Sequence, residues 1–408
     1  MKNQKLLLLY FKNIILFLFV FLLPTQFGKH FFLPFSYISG VRIDYLAPTV
    51  YVTDILTIFL VTLHSRDVLH FFKKGLFLYF VFFICLNILF SLSPLISLYR
   101  FFKIIEFLII VAVFKKEYPT RKNLIMQAFL CGLLLQFILV ITQFTVKHSL
   151  QGIWYFLGER YIHLGLPDIA KASINGAEFL RPYGTFSHPN SMAGFYLMLS
   201  LFILTNKSIT NLFFKYVFLL FSACIIILSF SKATLIIFGL LLLYYFAPFS
   251  IRCRICFAAK FVTIGTIILL FMIVQTDPLS FQKRTELISD AFNIIMQFPL
   301  LGTGIGNYLH AQINFPIRYP YFFLQPVHNI FLLLIAETGI PFGLFFIGKI
   351  VIIFANTIRK SLMLLPFLAV VFTGMIDHYW FTLQQNILLL AVMSGILLSD
   401  AVLLKNGE

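Results

Sequence analysis

Charge is scarce in this 408-residue chain: 11% of its residues are Asp, Glu, Lys or Arg, where soluble domains carry roughly a quarter. Acidic residues are the scarcest, 15 against 31 Lys and Arg. Tryptophan occurs twice and cysteine five times. Cys85, Cys131 and Cys224 lie within apolar runs, and Cys253 and Cys256 form a CxxC flanked by basic residues without a second ligand pair for zinc. These shortages exclude a water-soluble enzyme, a disordered chain and a disulfide-stapled domain. Apolar residues make up 60% of the chain, 53 of them Phe, and mean hydropathy is +0.96. A compact water-soluble fold cannot hide that much apolar surface, so the surplus faces lipid.

Apolar runs between polar breaks predict an all-α, polytopic transmembrane bundle, a single integral membrane domain over residues 1–408. The runs are 6–28, 47–63, 75–92, 95–114, 123–145, 191–206, 212–231, 233–249, 260–275, 329–355, 361–376 and 382–403, about twelve spans. The first run has a basic start but no small-x-small cleavage site, and reads as a retained helix. Lys and Arg fall on alternate connections: Lys2 and Lys5; Arg66, Lys73 and Lys74; Lys115, Lys116, Arg121 and Lys122; Lys207 and Lys215; Arg252, Arg254 and Lys260; Arg359 and Lys360; Lys405. By the positive-inside rule these connections and both termini are cytoplasmic. The net charge of +16 is then largely a topology signal, and nucleic acid is not an expected partner.

Two connections on the other side are too long to be plain linkers, outer loop 1 over 145–190 and outer loop 2 over 276–327. Trp154, Tyr155, Tyr161, Phe186, Tyr308, Tyr319 and Tyr321 suit packed loops at a membrane surface. From Arg284 to Phe298, Leu287, Ile288, Ala291, Ile294 and Ile295 recur at helical spacing, predicting an amphipathic helix outside the bilayer.

The chemistry-bearing strings gather on that outer side. Arg181-Pro-Tyr-Gly-Thr-Phe-Ser-His188-Pro-Asn190 precedes the sixth span, with Asn190 placed to cap it. Ser231-Lys232 separates the seventh and eighth spans; Gln282-Lys283-Arg284 precedes the amphipathic helix; Leu300-Leu-Gly-Thr-Gly304-Ile-Gly-Asn follows it. His328-Asn329 opens the tenth span, and Glu337 lies within it. Arg181, Arg284 and Lys232 near outward-facing helix N-termini offer what a diphosphate needs, and His328 or His188 a site to accept or position a proton. The blander reading is of capped helices, a snorkelling lysine, and Glu337 paired with Lys349 or another helix. Asp54, Arg100, Lys103 and Glu106 either pair within the bundle or hold an anionic lipid head. No Asp/Glu/His cluster has metal-ligand spacing in the sequence, so neither metal nor cofactor is expected.

Together, Arg181-Pro-x-Gly-Thr-Phe-x-His188-Pro-Asn190, Pro299-Leu-Leu-Gly-Thr-Gly304-x-Gly-Asn and His328-Asn329 followed by Gly339 resemble the O-antigen ligase and O-antigen polymerase family of bacterial envelope glycosyltransferases. The resemblance covers about residues 180–400. It implies a C-type, metal-independent, inverting transferase acting on a polyprenyl-diphosphate-linked glycan at the outer face of the cytoplasmic membrane. The acceptor is another glycan or a lipid A core. His328 matches the family's loop histidine, the implied general base, and Arg284 its second arginine. The first family arginine commonly follows a serine where this chain has Lys232, and Arg181 is the candidate for the missing fork. His188, Asn190, Asn329 and Glu337 complete the expected substrate-binding set. Pro341 and Phe342 depart from the small or hydroxylated residues often found there. Protein O-glycosylation within the family, or a lipid-linked-oligosaccharide flippase or polysaccharide transporter, is the alternative.

Overall fold

The computed structural model describes residues 2–73, 75–167, 169–174, 176–246, 280–314, 324–358 and 362–405. The apolar runs form helices: α1 (Lys2–Leu22), α2 (Val52–Leu63), α3 (Ser65–Phe72), α4 (Gly75–Leu89), α5 (Pro94–Val146), α6 (Pro189–Thr205), α7 (Leu212–Leu228) and α8 (Lys232–Phe246). After them come α9 (Ser280–Gln297), α10 (Tyr308–Gln312), α11 (Ile330–Thr338), α12 (Ile340–Ile358), α13 (Leu365–Gly374), α14 (Tyr379–Thr382) and α15 (Gln384–Lys405). Among the described residues α5 alone is long and apolar enough to cross a membrane; α2 and α3, bent by 90°, pass only as a pair. Shorter apolar stretches lie in α1, α4, α6, α7, α8, α12, α13 and α15. This mostly helical, apolar architecture is consistent with a membrane protein. The run 260–275, the CxxC of Cys253 and Cys256, and the tyrosines 319 and 321 lie outside the described residues.

Local chemistry moved several expected boundaries. The fourth and fifth runs are one 53-residue helix, α5, through Lys115, Lys116 and Lys122; Pro119 and the non-helical backbone of Arg121 (φ −123°) kink it instead of ending it. Arg121 pairs with Glu117 and donates to Asn13 Oδ1 at 2.7 Å, which ties the kink to α1. The tenth run breaks at Gly339 (φ +84°), where a side chain would collide with the Leu300 carbonyl. The break is closed by Ile340 N–H donating to Pro299 O at 2.8 Å. The second run starts as a strand, Thr49–Tyr51, before α2.

Short strands accompany the helices. Three two-stranded antiparallel hairpins decorate one end of the bundle: β1 (Gly28–His30) with β4 (Thr49–Tyr51), β2 (Tyr37–Ile38) with β3 (Val41–Arg42), and β5 (Lys171–Ile174) with β6 (Ala177–Leu180). The first two make residues 23–51 a third elaborated connection, not foreseen from hydropathy.

Helix α6 is the core of the molecule. Every residue from Pro189 to Thr205 is buried except Asn190, as expected for a helix apolar all round. Gly194 lets the Tyr379 hydroxyl approach its backbone more closely than any Cβ would allow, a small-residue contact of the kind that packs membrane helices. At 1.5 Å per residue α6 separates its two ends by about 25 Å. At its C-terminal end Lys122 donates to Ser208 O and Lys215 to Asn206 O; at its N-terminal end the motif loops converge.

Candidate functional site

The Tyr183-Gly-Thr-Phe segment has little regular backbone pairing, and glutamines of α5 supply it instead. Gln143 Oε1 accepts from Tyr183 N–H at 3.0 Å and Gly184 N–H at 2.8 Å; Gln136 Oε1 accepts from Thr185 N–H at 3.1 Å. Thr185 Oγ1 and Gln385 Nε2 both donate to the Pro24 carbonyl, at 2.5 Å and 3.0 Å. Gly184 sits at φ +57° against Gln136, where a Cβ would meet both strain and collision. This buried lattice delivers Arg181 and His188 to the head of α6.

The helix cap is His188, not Asn190 as expected. His188 Nδ1 accepts from Asn190 N–H at 3.1 Å, with Pro189 in the first turn. Asn190 is left to bridge: its Oδ1 accepts from Arg181 Nη2 at 2.6 Å and its Nδ2 donates to Asp377 Oδ2 at 3.1 Å. Arg181 Nε donates to Ser229 O at 2.8 Å, so this buried guanidinium also fixes the turn before Lys232, the first residue of α8.

Asp377, in the connection between α13 and α14, is the hub. His328 Nδ1 lies 3.4 Å from its Oδ1, and His378 N–H donates to that oxygen at 2.8 Å. The His328 and His378 rings are 5.1 Å apart and Tyr45 packs on His378 at 5.6 Å. Asn329, just after His328, caps α11 through Oδ1 accepting from Phe331 and Leu332 N–H, while its Nδ2 donates to Met375 O at 3.3 Å. That second bond holds the head of α11 beside the Asp377 connection.

Burial and neighbours set the charges. Burial, and then Arg181, pushes His188 down to about 3. Burial likewise lowers His378 to about 4, Asp377 partly opposing it. Both imidazoles are therefore neutral near pH 7. Burial lowers Arg181 to about 10, and Arg284 is close enough to add repulsion, which places these two guanidiniums in one electrostatic neighbourhood. Burial raises Asp377, but contact with His328 and the nearby imidazoles outweighs it and holds the carboxyl well below its usual range. The result is an ionised carboxylate against an imidazole, with the Arg181 guanidinium near it.

Other expected site residues are placed elsewhere. Glu337 is buried beneath the glycine loop and accepts from the backbone N–H groups of Gly306 and Tyr308, with Arg100 near. The loop is bracketed there by Thr303 N–H to Ala336 O (2.9 Å) and Gly304 N–H to Glu337 O (3.1 Å). Glu337 thus takes part in the scaffold of the loop, and Lys349, its expected partner, lies over Phe345. Lys103 pairs with Asp54 at 2.5 Å and Glu106 at 3.3 Å, and Gln384 Nε2 donates to both carboxylates. Mutual pairing accounts for these groups. Arg100 stands apart, donating to Tyr45 O at 3.0 Å.

Sequence reasoning missed Asp377, His378 and Tyr45. Asp377-His378 interrupts the polar-poor stretch between the last two apolar runs, a signal that was available. It also missed a cluster: ligand atoms of His328, Asp377 and His378 lie within 4.8 Å of one another, a set that could hold a metal ion. Sequence spacing hides it, because His328 lies far from the other two along the chain. Asp377 already meets His328, Asn190 and the His378 amide, and guanidinium charge stands beside it.

The geometry brings an imidazole against a carboxylate with the Arg181 guanidinium near both. Residues 193–347 match the O-antigen ligase family. That match supports glycan transfer of the ligase or polymerase kind in general. No curated protein matches the chain.

Proposed function

We propose that the protein transfers a glycan from a polyprenyl-diphosphate carrier to an acceptor hydroxyl, with inversion, at the outer face of the bacterial cytoplasmic membrane. The observation that carries this reading is the His328–Asp377 pair at 3.4 Å, in the neighbourhood of the Arg181 and Arg284 charges. Asp377 against Nδ1 leaves His328 Nε2 as the base. The acceptor O–H gives its proton to Nε2 while its oxygen attacks the anomeric carbon. The bond from that carbon to the diphosphate breaks, and its electron pair leaves with the phosphate.

Arg284 and Lys232 neutralise the departing charge. Arg181, already bonded to Ser229 and Asn190, contributes field more than a free fork, a revision of the role expected from its motif. The acceptor is a lipid A core (ligase) or a second lipid-linked glycan (polymerase). Gel analysis of surface glycan in a deletion strain separates them: unattached long chains mean ligase and single-repeat products mean polymerase. His328→Ala, at normal protein level, is expected to abolish transfer and leave lipid-linked glycan accumulated; retained transfer refutes the assignment.

A further inference from the structure

An arginine outside every motif stands beside the same site. Arg160 is exposed, yet the backbone on each side of it is tied down. Before it, Glu159 is buried, its carboxylate accepting from Gln143 Nε2 at 2.7 Å, Leu150 N–H at 2.9 Å and Gln151 N–H at 2.5 Å. Gly158, at φ +90°, presses on the Gln26–Phe27 backbone, and its carbonyl accepts from Gln26 Nε2 at 3.2 Å. After it, Ile162 and Ser149 exchange bonds: Ser149 N–H to Ile162 O at 2.9 Å and Ile162 N–H to Ser149 Oγ at 3.0 Å. The side chain is aimed as well, Nη1 donating to Ser187 O at 2.9 Å, one residue before His188.

Its surroundings are those of the site. The charge of Arg160 acts on Tyr45, which packs on His378, and on Tyr183, which packs on His188 at 6.0 Å. Among the described residues no carboxylate forms an ion pair with it. A guanidinium carries five N–H donors, so one bond to Ser187 leaves donors for a ligand. Because the Ser187 bond already aims the side chain, less of its freedom remains to be lost on binding.

We propose that Arg160 binds a phosphate group of the substrate at the entrance to the site, as an outer arm to Arg284. The inference rests on the transferase reading above and adds a phosphate-binding residue to it. The phosphate comes either from the lipid-linked donor or from a phosphorylated acceptor. The test is binding to full-length protein in phosphatidylcholine nanodiscs, with undecaprenyl diphosphate and lipid A as separate probes, for wild type, Arg160→Gln, Arg160→Lys and Arg284→Gln.

Arg160→Gln is expected to weaken one probe by about tenfold, the range of one charge-assisted hydrogen bond, with an unchanged melting temperature. Arg160→Lys, keeping charge without the fork, should lie between it and wild type. A loss confined to undecaprenyl diphosphate assigns the donor, and one confined to lipid A assigns the acceptor. Unchanged affinity for both probes in Arg160→Gln, with Arg284→Gln weakened, overturns this inference alone. Wild-type protein that binds neither probe overturns it together with the transferase reading.

Discussion

At the scale of single residues, the site depends on one carboxylate with several partners. Asp377→Asn keeps one acceptor oxygen, enough for the His378 amide at Oδ1 but not also for the Asn190 Nδ2 that donates to Oδ2, so a modest loss of stability is expected and melting temperature is read beside turnover. It also loses the charge that orients His328 and stabilises its protonated form. The turnover number should fall by roughly 10²–10⁴-fold with little change in KM for the lipid-linked donor. A turnover within twofold of wild type would remove Asp377 from the mechanism. His328, Arg181 and His188 were legible because they stand in polar strings of a greasy chain. Their roles were less so: Arg181 looked like a free fork and is occupied, and Asn190 looked like a cap and is a bridge. Side-chain partners decide such roles, and those partners come from segments far along the chain.

At the scale of elements, helix heads do the positioning. Asn329→Ala removes the α11 cap and the bond to Met375 O. A lost cap costs about 1 kcal/mol, so a lowered melting temperature is expected. Transfer should fall further than stability alone explains, because His328 is the preceding residue. Asn329→Asp restores the cap acceptor but not the Met375 donor, and should recover stability more than activity. Thermal unfolding read beside initial rates separates the two. Element type was readable from hydrophobic runs, and the amphipathic α9 from its spacing. The hairpins between α1 and α2 escaped, since two- and three-residue strands leave almost no periodic trace. The kink in α5 escaped for a different reason. A polar, basic stretch with Pro119 reads as a loop, but the helix continues through it because Arg121 finds Asn13 and Glu117.

At the scale of the molecule, acid should unfold the protein from the site outward. His188 and His378 are held neutral, at about 3 and about 4 against an ordinary 6.5. Between those values and 6.5 the unfolded chain takes up protons that the folded one refuses, so stability falls as pH drops. Asp377 acts in the same direction at lower pH, since its stabilising ionised form is lost on acidification. Melting temperature in detergent should be nearly flat above about pH 7 and decline below about pH 6. His188→Asn, which keeps a capping acceptor, should flatten part of that slope; an unchanged slope would show that His188 is not buried neutral. That motif strings and basic connections alternate along the chain was legible as a pattern, and α6 has motif residues at its head and Lys122 and Lys215 at its other end. That α6 is the central helix and not a lipid-facing one was not legible, because core and lipid favour the same side chains.

The bracket between the glycine loop and the broken helix has a mechanical consequence. Ile340 is fastened to Pro299, and Thr303 to Ala336, so the segment bearing Arg284 is riveted to the segment headed by His328. On the transferase reading proposed above, the candidate base and the candidate phosphate-binding cation then share one fastened unit. If the site must widen for a substrate, the elements free to move are then those outside this bracket.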